Sequence, residues 1–501
     1  MTLITHWIDG KPVEPSGAAT QPVYNPATGE VIAQVGLGTG EDVDRAVASA
    51  LEAFESWSQV SLSKRTAVLF RFRELLAANA DDLALLVSRE QGKVVSDAKG
   101  EIGRGQEVVE FACGLAQLLK GEYSDQAATG IDVYSIREPL GVVAGITPFN
   151  FPVMVPLWMS PVAIATGNSF VLKPSERDPS AALFLADLWK RAGLPDGVFT
   201  VVQGDKVAVD ALLHHPDIAA VSFVGSTAVA RYIHATASAE GKRVQALGGA
   251  KNHGVVLADA DLDDAANQLT AAAFGAAGER CMALAVAVVE DSVADALVDK
   301  LAAKARAITV TAGDQPGADM GPVITAAAKT RIEGLITSAV EQGASLVVDG
   351  RGCVVPGYER GFFVGPTVVD RVDPRQDVYT EEVFGPVLDV IRVSGLTEAI
   401  ELVNANPYGN GAVIFTASGE AARTFHRRVR AGMVGINVPI PVPVAWHSFG
   451  GWKDSLFGES HVYGPEGVRF YTRGKVITQR WPQREEPAVA ASFHFSGDAQ
   501  K

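Results

Sequence analysis

Cysteine is scarce in this chain: Cys113, Cys281 and Cys353 are the three among 501 residues. Their number is odd and their spacing fits no metal-ligand pattern, which excludes a disulfide framework and a zinc site and points to a reducing compartment. No metal is expected. Positive charge is also in deficit, with 43 Lys and Arg against 58 Asp and Glu and a formal net charge of −15. A protein that tracks nucleic-acid phosphates or an anionic membrane needs a basic face, so neither is an expected partner. The opening MTLITHWIDGKPVEPSG has neither the basic-then-apolar build of a signal peptide nor the Arg-rich, acid-poor character of a presequence. The expectation is a cytoplasmic protein.

Charge is missing altogether from residues 140–172, a span long enough to cross a bilayer. Pro148, Pro152, Pro156, Pro161 and Asn150 interrupt it, however, and VVAGITPFNFP reads as a buried strand running into a loop. No second candidate span accompanies it, so a membrane protein is not expected.

What the chain does have is a 47% apolar fraction, enough to build sizeable cores in a globular protein of two or three domains. After a strand-rich start (HWIDGKPV, NPATGEVIAQVG), residues 41–57 and 63–93 carry apolar side chains at helical spacing. From residue 141 the pattern alternates short apolar runs (GVVAGI, SFVLKPS, VFTVVQG, AAVSFVGS) with helices expected at 179–192, 207–214 and 227–239. Such alternation builds a parallel sheet covered by helices on both faces. A second series starts near residue 253 with GVVLADA, followed by helices at 261–277, 293–308 and 325–342. Two segments fit neither series: the alternating stretch at 121–139 and the strand-like VRFYTRGKVIT at 468–478. Isolated hairpins are marginal in water, so these are expected to pair with each other and with another subunit. The polar segment 482–501 reads as a tail.

Ligands of parallel sheets gather at the carboxyl ends of the strands. Lys173 and Glu176, in FVLKPSE, occupy one such end and suit the hydroxyls of an adenosine ribose; a carboxylate there favours NAD over NADP. A surface ion pair is the alternative. Gly225 and Ser226, in FVGST, open a helix whose free N–H groups can face a pyrophosphate, or they are an ordinary cap. Cys281 lies in FGAAGERCMA, where small residues permit close approach and Arg280 adds positive potential that would depress the thiol pKa. Taken alone, a cysteine is more often an apolar filler. Asn150, among the prolines of ITPFNFP, could donate to a developing oxyanion or merely form a turn.

The ordered set NPATGEVI, PFNFP, FVLKPSE, FVGST, FGAAGERC and EEVFGPVL resembles the aldehyde dehydrogenase superfamily from near the N-terminus to about residue 476. The resemblance implies an α/β fold with a Rossmann-type NAD-binding domain (1–120 and 140–252), an α/β catalytic domain (253–465) and a β-ribbon for oligomerisation (121–139 and 466–481), giving a homotetramer or homodimer. It implies that Cys281 attacks an aldehyde while Asn150 and the nucleophile's own N–H hold the oxyanion, with hydride passing to the nicotinamide. It also assigns Phe149, Glu382 and Phe384 to the cofactor. Without it, Glu382 would read as a helix-end charge.

Hydrolytic members of the superfamily open an ELGGK-like motif with a glutamate that activates water. Here the text is LGGAKNH, and Leu247 stands at that position. A leucine cannot take a proton from water. QALGGAKNH with GERCMA resembles the acylating methylmalonate-semialdehyde, or malonate-semialdehyde, dehydrogenases, which pass the acyl group to coenzyme A. A thiol of pKa ~8.5 is already partly ionised at neutral pH and needs less help. The resemblance further implies that Arg104 and Arg280 clamp the substrate carboxylate, although Arg104 also reads as a solvated helix charge or an intrahelical pair. Decarboxylation of the β-carboxylate would then yield propionyl-CoA or acetyl-CoA. Two departures stand out: Glu279 replaces a usual glutamine and would disfavour a thiolate, and Ala230 replaces a usual glycine. The rival readings are a hydrolytic enzyme using Glu279 as base, and a non-catalytic protein that has kept the fold.

Overall fold

Short apolar runs become largely buried strands because helices cover both faces of the sheet they form. In the computed structural model, which describes residues 2–481, five such strands lie parallel in the order Arg243–Leu247, Ile218–Val224, Val142–Ile146, Ser169–Lys173 and Phe199–Val201. The antiparallel strands Leu456–Phe457 on one side and His6–Ile8 with Lys11–Val13 on the other complete eight. Successive side chains feed opposite cores. Val143, Phe170 and Leu172 pack with the helices Leu62–Ala78, Val95–Cys113, Met154–Ala165 and Ser180–Arg191. Val142, Ala144 and Val171 pack with Gly40–Trp57, Lys206–His214 and Thr227–Ala239.

The strand order fixes where a ligand can sit. From Val142–Ile146 the chain builds outward through Ser169–Lys173 and Phe199–Val201, then returns to lay Ile218–Val224 on the other side of Val142–Ile146. The crevice at the carboxyl ends of those two neighbours is the switch point of the sheet. Residues 147–151 and 224–227 meet there.

The charge-free span 140–172 departs from expectation in its second half. Its strand forms, but the expected loop contains the helix Met154–Ala165, every residue of which is buried. Prolines at 156 and 161 hid it from the sequence reading. Pro156 falls in the first turn, where its missing N–H costs nothing, and the buried Glu101 carboxylate accepts the N–H groups of Val153 (2.8 Å) and Met154 (3.1 Å) at the helix start. Among the described residues no helix is long and apolar enough to cross a membrane.

A second sheet of seven strands runs Ser345–Val348, Thr367–Asp370, Val387–Val393, Leu284–Glu290, Asn252–Val256, Gly411–Phe415 and Met433–Ile436, parallel except for the first. A three-stranded ribbon stands apart. In it Ile131–Pro139 pairs antiparallel with Tyr123–Ala128 and, from Pro139↔Thr472 to Asp132↔Gln479, with Thr472–Gln479. The strand expected at 468–478 therefore begins later, because Gly464–Phe470 is a helix that buries Val468 and Phe470. A proline in its first turn is a start signal that the strand-like composition masked. The expected tail at 482–501 lies outside the described residues.

Candidate active site

Three consecutive residues, Ala276 (φ 50°), Ala277 (φ 53°) and Gly278 (φ 72°), turn left-handed between the helix Leu262–Phe274 and Cys281. L-residues with a Cβ pay for that conformation, so it persists only where neighbours fix it. The Asp97 carboxylate accepts the Ala276 N–H at 3.0 Å. A side chain at Gly278 would collide with the Gly385 carbonyl, which makes glycine obligatory there. Beyond the turn, the Cys281 carbonyl accepts both Asn252 Nδ2 and Asn410 Nδ2 at 3.0 Å. The main-chain carbonyl thus anchors Cys281, and the two asparagines make no bond to its side chain.

That side chain opens on two cavities. One, of about 410 Å³, is lined by Arg104, Arg280, Leu247, Phe151, Trp158 and Phe449 together with Cys281. The other, of about 430 Å³, brings Cys281 together with Phe149, Asn150, Gly225, Ser226, Glu382 and Phe384. The structure therefore gathers nine of the eleven site residues expected from the sequence around one sulfur. Lys173 and Glu176 line neither cavity. They form an ion pair at 3.2 Å at the end of the next strand, where Lys173 is in register with Ile146 and its carbonyl accepts the Thr147 N–H.

In the second cavity, Phe149 and Phe384 meet edge to face at 5.9 Å. Ser226 caps the helix Thr227–Ala239 through its backbone and makes no side-chain bond to the first turn, which leaves N–H groups facing the crevice for an anion. Glu382 Oε1 accepts the Ala250 N–H at 3.0 Å. A glycine helix start, two aromatic walls and a carboxylate suit a dinucleotide. Ala230 lies buried in the core beneath that helix start, so its methyl takes no space from the crevice.

Asn150 is buried, and its Nδ2 donates to the Glu279 carbonyl at 2.9 Å. Its own carbonyl accepts Lys93 Nζ at 2.6 Å, and Lys93 in turn pairs with Glu101 at 2.6 Å while lying 4.4 Å above the Phe151 ring. Sequence reasoning missed Lys93, Glu101, Asp97, Asn252 and Asn410. The visible hint was EQGK followed by a helical run, where a lysine reads as a helix-end charge.

The expectation of a depressed thiol reverses. Burial and, after it, the Glu382 carboxylate push the Cys281 thiol up to about 11. Arg280 opposes this only weakly, since its Nη2 donates to Asp97 at 2.7 Å. Burial likewise pushes Glu382 up to about 7 and Glu279 up to about 8. Glu279 is therefore largely protonated at neutral pH and does not repel a thiolate, contrary to the sequence reading. Its carboxyl accepts Gln91 Nε2 (3.2 Å) and the Ile324 N–H (3.3 Å).

These shifts predict how Cys281 reacts with iodoacetamide. Only the thiolate reacts, and its fraction grows about tenfold per pH unit below the pKa, so alkylation should climb from pH 7 toward 10. Glu382→Gln removes a negative charge that exists only above Glu382's own titration. The variant should react faster than the parent above about pH 7 and match it below. Mass spectrometry of Cys281 reads both rates, and a parent rate flat from pH 6 to 9 would contradict the shift.

Comparison with known proteins agrees in family. Over 496 residues the chain is 56% identical to the malonate-semialdehyde dehydrogenase of Pseudomonas aeruginosa, covering 99% of each. It is 51% identical to the mitochondrial methylmalonate-semialdehyde dehydrogenase (acylating) of Arabidopsis thaliana, over 95% of this chain and 79% of that one. The crystal structure of a candidate methylmalonate-semialdehyde dehydrogenase from Sinorhizobium meliloti 1021 complexed with NAD superposes with a TM-score of 0.96 at 52% identity, covering 96% of this chain and 99% of that one. The crystal structure of methylmalonate-semialdehyde dehydrogenase from Oceanimonas doudoroffii gives a TM-score of 0.95 at 56% identity, covering 96% of this chain and 99% of that one. With residues 13–477 matching its family pattern and the cysteine, asparagine and glutamate motifs meeting at one crevice, the chain belongs to the aldehyde dehydrogenase family.

Proposed function

We propose that this chain is an NAD-dependent, coenzyme A-acylating dehydrogenase of malonate semialdehyde and methylmalonate semialdehyde, yielding acetyl-CoA or propionyl-CoA, carbon dioxide and NADH. The observation that carries this reading is Leu247. It is buried and lines the cavity at Cys281, and the LGGAKNH motif puts it where hydrolytic members of the family carry a glutamate. Cys281 attacks the aldehyde carbon. Asn150 Nδ2 and the Cys281 N–H donate to the oxygen as it gains charge. A nicotinamide dinucleotide in the second cavity would supply the acceptor for the hydride on that carbon, and the acyl group stays on Cys281 as a thioester. Phe149, Phe384, Gly225, Ser226 and Glu382 hold the cofactor in the second cavity, with Lys173 and Glu176 at the ribose end.

Arg104 and Arg280 face the first cavity and hold the substrate carboxylate there. Arg104 keeps its intrahelical pair with Glu107 at 2.7 Å and donates to the Pro443 carbonyl at 2.7 Å while doing so. Loss of that carboxylate as carbon dioxide leaves its electron pair in the thioester enolate, and protonation at carbon completes the acyl group. The thiol of coenzyme A then displaces Cys281.

The hydrolytic alternative fares worse on one observation: the buried Glu279 carboxyl is already engaged by Gln91 Nε2 and the Ile324 N–H, which hold it away from the role of a base for water. Steady-state NADH formation from malonate semialdehyde tests the choice. Turnover should depend on coenzyme A, and robust turnover without it would refute acyl transfer. The ribbon leaves Tyr123 and Val476 exposed, at 61% and 70%, and burying them against another copy to give a homodimer or homotetramer is part of the same reading. A monomer by light scattering would remove that part alone.

A further inference from the structure

We infer that Asp97 and Gly275 are positioning residues that aim the Arg280 guanidinium into the substrate cavity and so set the preference for carboxylated aldehydes. This rests on the reading of Arg280 as a carboxylate ligand. Asp97 stands in the first turn of the helix Val95–Cys113 and uses both oxygens, Oδ1 toward Arg280 Nη2 (2.7 Å) and Oδ2 toward the Ala276 N–H (3.0 Å). One carboxylate thus ties the arginine beside the nucleophile to the left-handed turn that delivers the nucleophile. Gly275 supplies the second constraint. A Cβ built there would overlap Nη1, Cζ and Nη2 of Arg280, so the guanidinium lies flat on the bare glycine backbone. The φ of Gly275 is −55°, which any residue adopts, and backbone strain gives no reason for glycine. Space for the arginine does.

The consequence is geometric and electrostatic together. Asp97 takes one edge of the guanidinium fork, leaving the rest for a substrate carboxylate, and it offsets the charge of Arg280 so that the cavity is not left with an unpaired buried cation. Arg280 and Asp97 are 18% and 24% exposed at their side chains, and both line the cavity with Cys281. An arginine released from both constraints would keep its charge and lose its aim.

Two substitutions separate aim from fold. Asp97→Asn can keep its amide oxygen on the Ala276 N–H while presenting an NH₂ to Arg280, and Gly275→Ala displaces the guanidinium sterically with no change of charge. Each should raise KM for malonate semialdehyde about tenfold or more while moving kcat/KM for propanal less than about threefold, and neither effect should persist in an Arg280→Leu background. Equal losses on both aldehydes, or losses that survive in that background, would overturn the inference. Arg280→Leu alone tests the underlying clamp: an equal loss on both aldehydes would refute Arg280 as carboxylate ligand. A selective loss there, with both positioning variants behaving as the parent, would refute only the roles of Asp97 and Gly275.

Discussion

Cys281→Ala should abolish NADH formation from every aldehyde, with kcat falling on the order of 10⁴-fold or more, because removing the nucleophile of a covalent route removes the route itself. The fold should barely register the change. Cys281 is held through its carbonyl, which accepts Asn252 and Asn410, and both bonds survive truncation of the side chain. Its side chain lines the two cavities and only borders the apolar core, so little packing is lost with it. Thermal unfolding should therefore match the parent within a few degrees, which corresponds to a stability change of about 1 kcal/mol or less. A parallel control is available in Cys113, whose thiol burial also pushes up to about 11 but which packs in the apolar core among the N-terminal helices. Alkylation of the parent should follow Cys281, and turnover should be lost with it. Unchanged activity in Cys281→Ala would end the catalytic reading and favour a protein that keeps the fold for binding alone.

Much of this site could be read in the sequence because its parts are local. The run VVAGI can only be a buried strand, and PFNFP at its end must be a loop start, so Asn150 falls at a sheet end by chain order alone. The helix Thr227–Ala239 was expected at its observed bounds, since Gly225 and Ser226 mark its start and the apolar spacing runs on without interruption. The helix Met154–Ala165 was not legible: its prolines argue for a loop, and what offsets them is Glu101, some fifty residues away in the chain. The electrostatics were legible only in part. Arg280 beside Cys281 in sequence suggested a lowered thiol, but Asp97 lies 183 residues away and takes the guanidinium, while Glu382 approaches from a different element and adds charge of the opposite effect. Sequence adjacency named the groups, and long-range contacts decided their balance.

Asn150→Ala should lower kcat by about 10²- to 10³-fold, the equivalent of roughly 2.7–4 kcal/mol for one oxyanion donor in a site shielded from water. The amide is already aimed by two fixed points. Its Nδ2 donates to the Glu279 carbonyl, two residues before Cys281, and its backbone carbonyl is pinned by Lys93, which Glu101 holds in place. A donor held this way needs little reorganisation when charge develops on the aldehyde oxygen, and that is why its removal costs kcat rather than binding. KM for the aldehyde should accordingly change little, and the loss should appear with malonate semialdehyde and propanal alike, in contrast to the selective loss expected at Arg280. Asn150→Asp sharpens the test, since it keeps the shape but replaces a donor with an acceptor that would repel the oxyanion when ionised; its kcat should fall at least as far as that of the alanine variant. Single-turnover NADH formation at saturating NAD isolates the step, and a loss smaller than about tenfold in both variants would place the oxyanion elsewhere.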